Sequence, residues 1–440
     1  MQKYMFIFFI TIFLSCENEL RINDSWEDVP VVYAIMNSGT QEDADGSGFE
    51  PPNPFVEFNY DGDSDPDLNY THFVRVQKSF LGSESAYNYT EIHDSIYYNP
   101  NNLVVWMELV DPTYSGDVQP AKIPLELVSS SDLGSLNIEK DEGLFAIGDH
   151  YLYLLPNTTP NATDLCQGDC DNIYKNYKVF VFNQLTGDTA YAETNIVEPI
   201  DMWRPRSTGV QSVLRLGLEN TPVTIEIEPS RNAKMYSISL RFNYLEQSRD
   251  SFLFDVENNN PLPTSGVSQK HVDWTFSDVV ITDSNQLNGS GNFIKKSFYG
   301  AEFFTFLKSN IEEQDNSIPD YYRYPINTFF QNNNNGVATG IYHRCIDLNI
   351  TAVNSELYTY LTANSPNYGL NQERPEYNNI ENGIGHMSAR SVLNMSNLRI
   401  NQEAGDSLSF GEITRSLNFA CYNLSGSANY EINFGFYCED

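Results

Sequence analysis

Residues 234–245 read KMYSISLRFNYL. Tyr236, Ile238, Leu240, Phe242 and Tyr244 fall on one side of an extended chain, and Ser237, Ser239, Arg241 and Asn243 on the other. Side chains alternate across a strand with a period of two. The stretch therefore predicts an antiparallel strand with one face in a core and one toward water.

The same kind of pattern recurs on both sides of it. Residues 29–36 (VPVVYAIM) predict a first strand rich in β-branched and aromatic side chains. Residues 71–81 predict a second, with His72, Val74 and Val76 on one face and Phe73, Arg75 and Gln77 on the other. Residues 103–110, 123–128 and 150–155 continue the series, and 177–183 with 189–196 form a hairpin about Leu185-Thr186-Gly187-Asp188. Beyond the opening stretch lie strands at 223–227 and 342–352 and a closing hairpin of 416–422 with 430–437. Two stretches break the pattern. Phe303, Phe304, Leu307 and Ile311 recur at helical spacing within 301–313, and 355–363 reads as a short helix capped by Asn354 or Ser355. Residues 258–270 and 332–335 read as polar loops. The fold expected is mainly β. An immunoglobulin-like or fibronectin-like β-sandwich spans 29–199, interrupted by an acidic insert at 37–70. A linker at 200–207 leads to a second β-rich domain, 208–440, with one or two short helices.

Composition fits this reading. The 440 residues leave room for two or three domains, and 28 Tyr with 27 Phe favour strands over helices. Lys and Arg number 25 against 59 Asp and Glu, a net charge of −34. Such a chain repels nucleic acid, so no nucleic-acid partner is expected.

The chain opens on a secretory leader, residues 1–15. Lys3 supplies a positive start, and 4–14 (YMFIFFITIFL) is apolar but too short to span a bilayer, which takes about 20 residues. Phe13-Leu14-Ser15-Cys16 resembles a bacterial lipobox, which makes Cys16 the site of lipidation and 16–28 a tether. The acidic Glu17-Asn18-Glu19 resembles a surface-export signal of Bacteroidota lipoproteins. The expected location is the outer membrane, lipid-anchored and facing the cell surface.

Candidate sites are few. Cys166 and Cys170 (CQGDC) can close a small disulfide loop, and among Cys345, Cys421 and Cys438 one further bond is open. The six histidines are scattered without zinc-ligand spacing. In the acidic insert, Asp43 and Asp45 begin a D-x-D-x-S-G run, and Asp61, Asp63 and Asp65 form a second cluster. Pro54 stands where the first would need its closing Glu, and Pro66 where the second would need Gly, so these carboxylates are at most weak Ca²⁺ ligands. No other cofactor is expected. Gly405-Asp406-Ser407-Leu408 spells the block of the GDSL hydrolases, but no histidine follows it. His343 and Cys345 lie two apart on a strand. Neither pattern predicts catalysis, and dispersed carboxylates give only a weak hydrolase reading. Trp106 reads as core. Trp26, Trp203 and Trp274, together with Tyr60, Tyr70, Tyr87, Tyr89, Tyr97 and Tyr98, are available for sugar stacking or a protein interface.

Two groups of residues carry a family likeness. Val31-Val32-Tyr33-Ala34-Ile35-Met36, with Thr71-His72-Phe73-Val74-Arg75-Val76 and Ser79-Phe80-Leu81-Gly82, form the first. The second comprises Ser355-Glu356-Leu357-Tyr358, Tyr360, Tyr377-Asn378-Asn379-Ile380-Glu381-Asn382-Gly383-Ile384-Gly385 and Ser388-Ala389-Arg390-Ser391. Together they resemble an uncharacterised family of Bacteroidota outer-membrane lipoproteins that carries a domain of unknown function. The resemblance implies a location, not an activity. The expectation is a non-enzymatic accessory or scaffold subunit that docks on an outer-membrane β-barrel complex. A glycan-binding lipoprotein of a nutrient-uptake system is the alternative. Asn382 and the two glycines suit a tight turn with positive φ before a strand enters the core.

Overall fold

The computed structural model describes residues 29–43, 67–68, 72–79, 92–110, 122–129, 150–154, 176–206, 212–217, 221–248, 267–315, 319–326, 328–332, 338–364, 377–424 and 430–434. The chain is mainly β. The strands used below are β1 (Pro30–Asp43), β2 (Phe73–Lys78), β3 (Leu103–Val110), β4 (Lys122–Pro124), β5 (Asn176–Asn183) and β6 (Thr189–Asn195). They continue as β7 (Val223–Ile227), β8 (Met235–Ser248), β9 (Val267–Thr275), β10 (Ile294–Phe298), β11 (Ala338–Val353) and β12 (Ile384–Ile400). Three helices matter here: α1 (Gly300–Asn310), α2 (Ser355–Ala363) and α3 (Gln402–Phe410).

One large sheet organises the molecule, in the order β9-β8-β11-β12-β1-β2 and then Tyr151–Leu154 and Glu126–Ser129. The alternation at 236–244 holds. Tyr236, Ile238, Leu240, Phe242 and Tyr244 are buried and their Ser, Arg and Asn neighbours half-buried. A second sheet, β4-β3-β5-β6, supplies Val105, Met107, Val179, Val181, Ala190 and Ala192 to the core that Val32, Ala34, Met36, Val74 and Val76 enter from the large sheet. A third, made of Met202–Arg204, β7 and β10, joins the same core through Ile225, Ile227, Ile294 and Phe298. Helix α1 adds Phe303, Phe304 and Leu307, and Trp274 stacks on Phe306 at 5.6 Å.

Two layers therefore face each other in the N-terminal half, but one of them is the continuing sheet of the C-terminal half. Residues 31–43 of β1 pair in parallel with 384–396 of β12, and the core runs without a break across 199–208. Where a linker was expected, Met202–Arg204 forms a strand against β7, because Met202 has a core to enter. The first strand does not stop at Met36 but runs to Asp43. The acidic insert expected to begin at residue 37 is thus strand over its first residues, and Asp67–Leu68 pairs back onto Thr40 and Gln41. Its polar side chains hide this, since the hydrogen-bond partners lie hundreds of residues away. The single strand expected at 123–128 is split at Leu125. Lys122–Pro124 joins the second sheet and Glu126–Ser129 the large one, so the chain changes layers there. Residues 267–270, expected as loop, begin β9.

The predicted turn before β12 is a clamp between the halves. Asn382 has φ 55° and Gly385 φ 121°. Gly383 has no positive φ and is required for room instead: a Cβ there would lie 2.8 Å from Ile380 Cγ2 and 3.0 Å from the Pro30 carbonyl. The Asn379 side chain donates to Met387 O and accepts from Met387 N, both at 2.8 Å. Asn382 Nδ2 donates to Thr189 O, and Glu381 and Tyr191 exchange backbone hydrogen bonds. Asn354 caps α2, its Oδ1 accepting from Leu357 N at 3.0 Å, while its Nδ2 donates to Thr194 Oγ1 at 2.8 Å across to β6.

Candidate functional site

The residues expected to carry covalent or metal chemistry fall largely outside the described ones: Cys16, Cys166, Cys170, Asp45, Asp61, Asp63 and Asp65. Asp43 is the last residue of β1. Among the described residues no group of three or more His, Cys, Asp or Glu is placed to hold a metal ion. Cys421 is disulfide-bonded and Cys345 is a free, buried thiol.

The two sequence patterns with a catalytic flavour have structural settings. Gly405-Asp406-Ser407-Leu408 lies inside α3, where Ser407 Oγ donates to Glu403 O at 2.7 Å in its own helix. A hydroxyl turned back on the preceding turn is a helix side chain, not a nucleophile raised on a sharp elbow. Gly405 is needed because a Cβ would sit 2.6 Å from His343 Nε2. Burial, with Glu403 adding to it, pushes the Asp406 carboxyl up to about 6. Burial raises the Cys345 thiol well above its usual range and pushes His343 down to about 3. Thiol and imidazole are thus held in their neutral forms, the opposite of an activated pair.

His386 is the more unusual histidine. Its ring stacks on Tyr360 of α2 at 4.0 Å and meets Tyr33 edge-on at 5.3 Å. Neither ring nitrogen has a hydrogen-bond partner among the described residues, and burial pushes it down to about 4. Tyr33 lies between His386 on β12 and Arg75 on β2 in register, and Arg75 Nη2 donates to Tyr97 Oη at 3.2 Å. A neutral, unpartnered imidazole between two phenols is a packing wedge that seats α2 on the sheet.

Two aromatic groups reach the surface. The first covers the outer face of the second sheet. Pro124, Trp106, Phe180 and Tyr191 stand opposite one another across β4, β3, β5 and β6. Trp106 and Phe180 stack at 5.0 Å and 6°, Phe180 and Tyr191 at 5.8 Å and 29°. Lys122 Nζ lies 4.6 Å from the Trp106 ring centre, and Trp106 Nε1 donates to Glu108. Rings that stack on one another from strand to strand stand upright on the sheet, so the surface receives their edges rather than their faces. One register step along lies a row of alternating charge: Lys122, Glu108, Lys178 and Glu193. On the other side lie Val104, Phe182 and Thr189. Trp106 is therefore not core, as its sequence setting suggested; Val105 and Met107 take the inward positions. Tyr97 and Tyr98, expected on a loop surface, are buried, and Tyr60, Tyr70, Tyr87 and Tyr89 lie outside the described residues. The sequence held the signal for this comb in the alternate positions of 103–110, 177–183 and 189–196. Only the register brings the three rings together.

The second group is on the third sheet. Trp203 stacks on Phe293 at 5.3 Å and 18°, with the Arg206 guanidinium 5.1 Å over the indole and Lys295 Nζ 6.0 Å from the Phe293 ring. Lys295 is held by Glu226 at 2.7 Å. No protein-family model matches the chain, and the search of curated proteins finds no match to it.

Proposed function

We propose that the chain is a lipid-anchored outer-membrane protein, facing the cell surface, that acts without catalysis as an accessory subunit docked on a β-barrel complex. The observation that carries this reading is the leader: an apolar run of the length of a signal peptide ending at Ser15-Cys16. The likeness to Bacteroidota outer-membrane lipoproteins supports it. So does the chemistry of the body, whose hydroxyl candidate is bonded within its own helix, whose thiol and imidazole candidates are held neutral, and whose surface carries stacked aromatic rings. The acidic insert retains its place as a weak Ca²⁺ candidate. The test is a mild-detergent purification of the tagged protein from its own outer membrane, with protease shaving of intact cells. A stoichiometric β-barrel partner and a shaved body are expected. A lipoprotein that purifies alone overturns the docking role, and a body protected from protease overturns the surface location.

A specific observation favours a second reading, glycan binding in nutrient uptake. Trp203 is exposed beside Phe293 and two cations on a chain otherwise strongly acidic. Under this reading sugars stabilise the protein, Trp203→Ala removes the effect, and no barrel partner persists.

A further inference from the structure

We infer that the end of the molecule where β1 begins is a membrane-docking pole, which sets the turn between β5 and β6 and the aromatic comb behind it against the headgroup layer of a lipid bilayer. The inference rests on the anchored reading above and adds to it which surface meets the membrane.

Five strand ends converge at this pole. β1 starts there at Pro30, and β12 runs parallel to it from Ile384, opposite Val31. A Cβ on Gly383 would touch both the Pro30 carbonyl, at 3.0 Å, and Ala190 Cβ, at 3.3 Å, so the start of β1 lies against β6. Asn382 Nδ2 bonds Thr189 O at the first residue of β6, and Leu103 begins β3 opposite Asn183 at the last residue of β5. The described body thus begins beside the β5–β6 turn, and residues 16–28 join it there. Fully extended, that tether reaches roughly 40 Å at about 3.4 Å per residue, so the pole is the part of the body held nearest the anchor.

Among the described residues, the exposed apolar groups of the pole are graded. Leu185 at the turn tip is 75% exposed, the most exposed large apolar side chain among the described residues. Val104 (40%) and Tyr191 (37%) lie on the strands behind it, and Ile384 (43%) is exposed at the start of β12 on the opposite face of the large sheet. Trp106 follows, three residues along β3 from Leu103, roughly 10 Å from the base of the turn at about 3.3 Å per residue. The row of Lys122, Glu108, Lys178 and Glu193 comes only after the aromatics. A single leucine at the tip of a polar turn, then upright aromatic rings, then a row of charge follows the order in which a bilayer interface changes from headgroup boundary to water.

The turn is also built to leave water. The backbone amides of Gln184, Leu185, Gly187 and Asp188 all donate, to Asn102 O, Asn183 Oδ1, Asn183 O and Thr186 Oγ1. Satisfied amides lower the desolvation cost of the tip. Electrostatics do not drive the contact: Asp188 and Glu381 are exposed at the pole, and Lys78, opposite Pro30, is engaged by Asp94 O and the Tyr98 ring. Docking is therefore indifferent to anionic lipid.

The test uses the mature chain with an N-terminal hexahistidine in place of Cys16. The protein is held on neutral phosphatidylcholine vesicles that carry a nickel-chelating lipid and a headgroup-depth nitroxide lipid. The Trp106 emission, taken as the difference between the chain and its Trp106→Phe variant, is expected to be quenched on the vesicles. Leu185→Asp should cut that quenching at least twofold, whereas Tyr321→Asp, on an edge strand that pairs with the last residues of β8, should leave it unchanged. Unquenched Trp106, or equal quenching in both Asp variants, overturns the pole, as does quenching that appears only with anionic lipid. Because the histidine tag replaces the lipid, this result does not depend on acylation. The mass of the N-terminal peptide from the native membrane tests the anchor separately: an unacylated Cys16 removes the anchor and leaves the vesicle result to decide the pole.

Discussion

At the scale of single residues, the molecule buries titratable groups in neutral form, and this sets its response to pH. Burial pushes His72 and His386 down to about 4 and His343 to about 3, against 6.5 for an exposed imidazole. In the folded state all three stay neutral while the unfolded chain takes up protons below pH 6.5. Their contribution to stability is therefore full above that pH and is lost as pH falls toward 4, at about 1.4 kcal/mol per pH unit for each histidine. Asp406, pushed up to about 6, opposes this between 3.8 and 6, because its folded form holds a proton that the unfolded form has released. Three histidines outweigh one carboxyl, so the urea midpoint should drop between pH 7 and pH 4.5. His386→Phe keeps a ring against Tyr360 and should flatten the slope by about one histidine's share. An equal slope in that variant would mean that His386 titrates freely. Some of this scale was legible in the sequence. The four non-glycine residues with positive φ among those described are Asn232, Asn382, Asn397 and Asn418, the residue type that tolerates that region, and Asn382 was readable from its place before two glycines. Trp106 was not, because a tryptophan among valines reads as core until the parity of its strand is known.

Among elements, legibility followed the difference between the two faces. β8 was readable because its inward residues are apolar and its outward ones polar. β12 is the longest strand among the described residues, with 17 residues, and only the turn before it announced a strand there. Its residues Gly385–Ala389 are buried on both faces, and His386, Ser388 and Ser391 stand among Met387, Ala389 and Leu393, so period two is erased. Helix α3 was missed for the opposite reason: its apolar stripe is short and Gly405 interrupts it, a glycine required by the closeness of His343. The turn into β12 makes a testable claim at this scale. Gly385 combines φ 121° with a Cβ position 2.0 Å from Val32 O, so any side chain is both strained and in collision with β1. Gly385→Ala should destabilise by about 2–4 kcal/mol, as an overpacked site at a forbidden φ does. Gly187→Ala is the comparison, since a Cβ there meets nothing within 4 Å and only its φ of 79° is strained. Its cost should be about 1 kcal/mol. Equal urea midpoints for the two variants would remove the contact with β1 from the account of this turn.

For the molecule as a whole, the decisive fact is that β1, near the start of the chain, completes a sheet made mostly by residues 208–440. A division at 199–208 is attractive in sequence because a polar stretch there follows a completed hairpin. The pairing of residues 31–43 with 384–396 crosses it, and so do the bonds from Asn354 to Thr194, from Asn382 to Thr189 and from Asn232 to Ile196. Residues 208–440 made alone would free the edge of β12 over residues 384–396, with Gly385–Ala389 buried-type on both faces, which is an aggregation surface rather than a domain boundary. Residues 29–207 alone would hold β1 and β2 without the sheet that covers β1's other edge. Neither fragment should give a monomer with a cooperative urea transition, whereas the two co-expressed should associate. The intact chain should lose tryptophan fluorescence and far-ultraviolet circular dichroism in one coincident transition, because one core connects the three packed sheets. Two separated transitions, or a well-folded 208–440 monomer, would show that the parallel pairing of β1 with β12 is an addition to an independent domain. The pole would then be a separate module, free to move on the membrane beneath it. A single transition makes the β5–β6 turn and the large sheet one rigid body, so the docking proposed above would fix the orientation of every other surface of the body.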